Sequence, residues 1–318
     1  MSVPGAPQSP DRAAIQRLAA TVMKTKIVSA ERLDGYLQRV YQLSGAGGSF
    51  CLMKCSPAPG VRVLSIEEDR LGVEASVLSL LSRRVDIAAP KLLEYQAATN
   101  TLGSSYIIVG PYSGSIMSFA GKALSASDRI DVDRSLGVYY KRLTSLTHSS
   151  FGPFRRPILS SWAKYFAVLL ETVLRDGEDS LINLPYDNIR EMLRKHWQSI
   201  DAVTQPKLVL LEVCSTENIV VDERTKEVTS LVDYSTAIWG DPFISDSFHR
   251  PSRSFLEGYG EGVGGDNDKR IRHLFYISFH SLLAIVRQKY RPQTDSHDIE
   301  SRKALLTALR YLEQIPVL

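Results

Sequence analysis

Among the residues able to do chemistry, Lys54 is the most conspicuous. It sits in Phe50-Cys51-Leu52-Met53-Lys54-Cys55, a stretch otherwise apolar enough to be buried, and an ammonium taken out of water needs a partner. Glu74, in Leu71-Gly72-Val73-Glu74-Ala75-Ser76-Val77-Leu78, lies on the one helix expected beside that stretch. A lysine held by such a glutamate presents its charge to phosphate oxygens. Two plainer readings stay open: an edge-strand lysine reaching solvent, and a surface glutamate grouped with Glu67 and Glu68. A second group of polar residues follows in Asn218-Ile219-Val220-Val221-Asp222, Val228-Thr229-Ser230-Leu231-Val232-Asp233-Tyr234 and Ala237-Ile238-Trp239-Gly240-Asp241-Pro242. Other chemistries lack their residues. The six histidines show no HExxH or paired metal spacing, and there is no Gly-x-Ser-x-Gly elbow. Cys51, Cys55 and Cys214 are odd in number with no CxxC spacing, which argues against a disulfide framework and a zinc site and for a reducing, cytoplasmic setting.

These residues need elements to place them. Ser9-Pro10-Asp11 reads as a helix start, with Ile15, Leu18, Ala19 and Val22 at helical spacing. Residues 26–33, 36–43 and 49–55 are short, rich in β-branched and aromatic residues, and separated by Asp34-Gly35 and Gly45-Ala46-Gly47-Gly48. They read as three consecutive antiparallel strands. A helix over 66–81 and two more strands, 91–95 and 106–109, complete a five-stranded sheet with one inserted helix. Pro111, Gly110 and Gly114 then break both periods. Helical patterns follow at 127–147, 162–174, 187–200, 269–286 and 299–312, with a compact β section at 207–211, 219–222 and 228–232. The expected organisation is α+β and two-lobed: a disordered tail at 1–9, a small antiparallel β lobe with one packed helix at 10–110, and a larger, mainly helical lobe with a small β insertion at 111–318. A linker at 110–114 joins the lobes.

In this arrangement the segment from Leu208 to Pro242 resembles the aminoglycoside phosphotransferase-like family, kinase-fold enzymes that phosphorylate small molecules. The family pattern is His-Gly-Asp, four further residues, Asn-Ile-Leu-Val-Asp, a turn, Ile-Asp-Trp, and later Trp-Gly-Asp-Pro. The resemblance extends over roughly residues 26 to 290 and implies a protein-kinase-like fold with Mg·ATP bound between the lobes and a small-molecule acceptor. It places Asn218 and Asp233 on the metal ligands, Lys54 on the phosphate lysine, and Glu74 on its helix partner. Gly110 and Tyr112, in the hinge, would face the adenine. Mg²⁺ takes hard oxygen ligands, usually one or two from protein, which an Asn and an Asp at adjoining strand ends suit.

The departures from the pattern are as informative. Five residues before Asn218 stands Val213, where the family has its catalytic aspartate. An isopropyl group accepts no proton. The preceding His and Gly positions are Leu211 and Glu212, and Glu217 precedes the asparagine. Glu212 and Glu217 flank the valine, and each is a candidate displaced base. Against that, adjacent strand residues point to opposite faces, which turns Glu212 away, and Glu217 reads equally as a solvated side chain. The nucleotide-covering loop holds only Gly35, in Leu33-Asp34-Gly35-Tyr36-Leu37.

Composition sets the outer bounds. The 318 residues are 44% hydrophobic and 23% charged, with a net charge of +3. Both signs are mixed along the chain, so there is no footprint for nucleic acid. The apolar runs fall short of the roughly 20 residues needed to span a bilayer, so no membrane partner is expected. Three functions fit these observations. The first is a small-molecule phosphotransferase using Mg·ATP, and the second a pseudokinase that binds a ligand without transferring phosphate. In the third, the kinase fold is repurposed for a reaction such as cyclisation of a small apolar metabolite.

Overall fold

The computed structural model describes residues 12–25, 27–45, 49–97, 102–121, 124–292 and 298–316. The expected tail at 1–9 and the helix start at 9–11 lie outside them, as do residues 46–48 of the glycine-rich turn. In chain order the elements are α1 (Arg12–Met23), β1 (Ile27–Leu33), β2 (Arg39–Gly45), β3 (Phe50–Cys55), α2 (Arg70–Leu81), β4 (Lys91–Gln96), β5 (Tyr106–Tyr112), β6 (Ser115–Ile116), α3 (Met117–Ala120) and α4 (Ala126–Leu143). There follow β7 (Gly152–Pro153), α5 (Trp162–Asp179), α6 (Tyr186–Lys195), α7 (Trp197–Asp201), β8 (Lys207–Leu210), β9 (Ile219–Val221), β10 (Val228–Leu231), β11 (Ala237–Gly240), α8 (Arg253–Tyr259), α9 (Asn267–Tyr290) and α10 (Asp298–Gln314). These elements form two compact units. One is Met1–Val61 with Asp69–Tyr139 and Val213–Ser235, and the other is Arg62–Glu68 with Tyr140–Glu212 and Thr236–Leu318.

The first unit is built on a five-stranded antiparallel sheet in the order β1-β2-β3-β5-β4. All six residues of β3 are buried, because both faces of this central strand are covered. Cys51, Met53 and Cys55 pack with Ile15 and Ala19 of α1, Leu43 of β2 and Ile108 of β5. Side chains alternate along a strand, so Phe50, Leu52 and Lys54 share the opposite face. The turn before β2 is longer than expected: Tyr36 lies in it, not in the strand, and Gly35 takes φ +91°. A separate three-stranded sheet, in the order β10-β9-β6, completes this unit.

The expected single β section at 207–232 divides. β9 and β10 pair with each other, whereas β8 pairs with β11 in a small sheet of the second unit, in the order β7-β11-β8. That unit is otherwise helical, and its core gathers Trp162, Phe166 and Leu170 of α5 with Phe275, Phe279 and Leu282 of α9. Asp241, which follows β11, is 3% exposed and accepts hydrogen bonds from Arg272 Nε at 3.1 Å and the Tyr276 hydroxyl at 2.7 Å. The Trp162 indole donates to that hydroxyl at 2.8 Å. The Trp-Gly-Asp-Pro segment is therefore a packing and bonding node.

Candidate functional site

Every residue of the candidate site except Glu212 belongs to the first unit. Lys54 Nζ meets Glu74 Oε1 at 2.5 Å, with the side chains 2% and 0% exposed, so the expected buried ion pair is present. The lysine also donates to the carbonyl of Val232 at 2.5 Å, which ties β3 to the residue before Asp233. Full burial pushes the Glu74 carboxyl up from its ordinary range, against the downward pull of Lys54, and Asp233 adds to the rise.

Asn218 and Asp233 come together as their adjoining strand ends require. The backbone N–H of Asp233 donates to Asn218 Oδ1 at 2.7 Å, and the N–H of Val232 donates to the Asn218 carbonyl at 2.7 Å. Asp233 Oδ1 accepts the N–H of Ser235 at 2.7 Å, while Oδ2 lies 3.9 Å from Arg70 Nη1. Arg70 is the first residue of α2, four before Glu74, and so shares its helix face. That spacing is the sequence signal through which Arg70 was identifiable. This arrangement does not fit the divalent cation implied by the resemblance. At an effective dielectric of about 20, a +2 ion about 5 Å from a guanidinium is repelled by about 7 kcal/mol. Among the described residues, no three His, Cys, Asp or Glu side chains are grouped to hold a metal.

Gly110 and Tyr112, which the resemblance would set facing adenine, are committed to packing. Gly110 has φ +143°, and a Cβ there would stand 2.6 Å from Cys51 Sγ and 2.9 Å from its Cα. The position needs glycine for the approach of β5 to β3. The Tyr112 ring is 1% exposed and stacks on Phe50 with centroids 5.0 Å apart and planes within 9°. Its hydroxyl reaches the Val232 carbonyl at 3.4 Å, the oxygen that also receives Lys54. Tyr36, which the strand pattern concealed, donates to the Glu217 carbonyl at 2.6 Å. Burial first, then Glu217 and Asp233, pushes its phenol up.

Val213 is fully buried. Glu212, in the second unit, is ion-paired with Arg287, so it turns to a cation of α9. Glu217 accepts the Ser215 hydroxyl, and that bond draws its carboxyl below the usual range. Glu212 thus has a guanidinium partner, and Glu217 is made less basic by its hydroxyl partner.

The fold is that of kinase-like small-molecule phosphotransferases. A candidate fructosamine-3-kinase from Thermobifida fusca superposes with a TM-score of 0.67 at 12% identity, covering 95% of this chain and 99% of that one. A thermostable aminoglycoside phosphotransferase mutant, in ternary complex with ADP and hygromycin B, gives 0.63 at 14% identity, covering 93% and 98%. The GDP complex of an aminoglycoside 2'-phosphotransferase gives 0.59 at 16%, covering 95% and 99%. At such identities the likeness establishes the fold alone. No protein-family model matches the chain, and no curated protein matches it in sequence. No helix among the described residues is long and apolar enough to cross a membrane.

Proposed function

We propose that this protein is a kinase-fold small-molecule-binding protein that does not transfer phosphoryl groups. The reading is carried by one observation: a fully buried valine stands at the catalytic position implied by the resemblance, and both flanking carboxylates are engaged elsewhere. A cytoplasmic setting goes with it, supported by three cysteines that form no disulfide. The second reading, a phosphotransferase that still uses Mg·ATP, is favoured by the intact Lys54–Glu74 pair.

Val213→Asp separates the two. General-base help is typically worth ~10²–10⁴ in rate, so under the second reading the variant gains ATP hydrolysis or transfer by up to that factor. Under the first, the new carboxylate enters a fully buried position without a partner, lowers stability by about 2–4 kcal/mol and leaves transfer absent. The assay is ATP turnover with hydroxylated acceptors, alongside urea unfolding. Turnover by the unaltered protein would sink the first reading directly.

A further inference from the structure

We infer that Arg70 occupies the electrostatic role of a metal ion at Asp233, and that the site therefore selects a metal-free ligand of low net charge over a metal–nucleotide polyphosphate. The inference deepens the reading of this site as a kinase-derived binding site and rests on it. Three observations lead to it. Arg70 Nη1 lies 3.9 Å from Asp233 Oδ2, with side chains only 10% and 21% exposed, so the carboxylate already faces a fixed positive charge. The other carboxylate oxygen takes the N–H of Ser235 at 2.7 Å, and Asn218 Oδ1 takes that of Asp233 at 2.7 Å. Both side chains that the resemblance would assign to metal thus organise backbone.

The third observation is the balance of charge. Lys54 is matched by Glu74 at 2.5 Å, and Arg70 faces Asp233. The two cations and two anions cancel, and Glu217 adds a further carboxylate near the Tyr36 phenol. A polyphosphate brings several negative charges, of which a carboxylate-paired lysine meets only a part, and metal ions ordinarily neutralise the rest. Here the nearest basic groups already face carboxylates. A ligand with little charge loses nothing on that account.

The test reads metal uptake directly, without catalysis. Mn²⁺ titrated into the full-length protein is followed by the loss of its free-ion electron paramagnetic resonance signal, in parallel with thermal shifts in ATP with and without Mg²⁺. The unaltered protein is expected to leave the Mn²⁺ signal intact and to show no metal-dependent ATP shift. Arg70→Gln, which removes the charge while keeping hydrogen-bonding capacity, is expected to bind Mn²⁺ at least about tenfold more tightly. That gain should disappear in Arg70→Gln/Asp233→Asn. Arg70→Lys, which keeps the charge, should behave as the unaltered protein does. Mn²⁺ uptake by the unaltered protein equal to that of Arg70→Gln would overturn the inference, as would failure of soluble, folded Arg70→Gln to gain any. Neither result touches the assignment of Val213, which fails only if phosphoryl transfer is found.

Discussion

Lys54 and Glu74 show what a buried charge demands. Each is almost wholly removed from water, and the pair holds because the charges meet and the lysine has a second acceptor in Val232. Breaking such a pair from one side costs far more than replacing both partners by apolar groups. Glu74→Ala should therefore lower stability by about 3–5 kcal/mol in urea unfolding, leaving an ammonium with one carbonyl for company. Lys54→Met in the same background should recover most of that loss. A double variant as unstable as the single one would show that the lysine stem, and not its charge, carries the cost. Lys54 and Glu74 were legible in the sequence because a lone lysine in an apolar strand poses a question with few answers nearby. Arg70 was equally legible in principle, four residues before Glu74, but its significance depends on Asp233, which is 163 residues later in the chain.

At the scale of elements, local pattern and distant pairing separate cleanly. The five strands of the first sheet and α2 follow from alternation, apolar runs and turn residues, all of which act over a few positions. The fate of β8 does not, because its partner is β11, a segment that reads from sequence only as a motif. Likewise β6 is two residues long and has no period to detect. Tyr36 was absorbed into a strand because aromatic residues favour strands, whereas its hydroxyl is held by a carbonyl remote in the chain. Gly110 and Gly114 were visible as breaks, but the reason for Gly110 is packing. Gly110 adopts φ +143° against Cys51, so Gly110→Ala should destabilise the protein by about 2–4 kcal/mol through backbone strain and the displaced neighbour. Pairing it with Cys51→Ala tests the cause: relief of the Sγ contact should restore part of the loss, while the strain in φ remains. A Gly110→Ala protein melting at the original temperature would contradict this account.

On the scale of the whole molecule, each compact unit carries its own polar anchor. In the first it is the Lys54–Glu74 pair, and in the second Asp241 binds Arg272 and Tyr276, while Glu67, 1% exposed, binds Arg287 and Arg291. The second unit also contains a histidine that links stability to pH. Burial, then the neighbouring charges of His280, Arg250 and His273, hold His249 down at about 4, against an ordinary value of 6.5. The unfolded chain then binds a proton that the folded one refuses, so the contribution is intact above pH 6.5 and is lost as pH falls toward 4. At full burial a shift of that size would be worth about 3 kcal/mol, and solvent screening at this half-buried ring reduces it to about 1–2 kcal/mol. Glu74 acts in the opposite sense: its carboxyl is raised on folding, so its share declines as pH rises from the unfolded value. Unfolding free energy measured in urea from about pH 4 to pH 7.5 contains both effects, and His249→Asn isolates the first. The variant should lose the acid-side decline that the unaltered protein shows in this window, with little change in slope elsewhere. An identical decline in both proteins would remove His249 from the linkage.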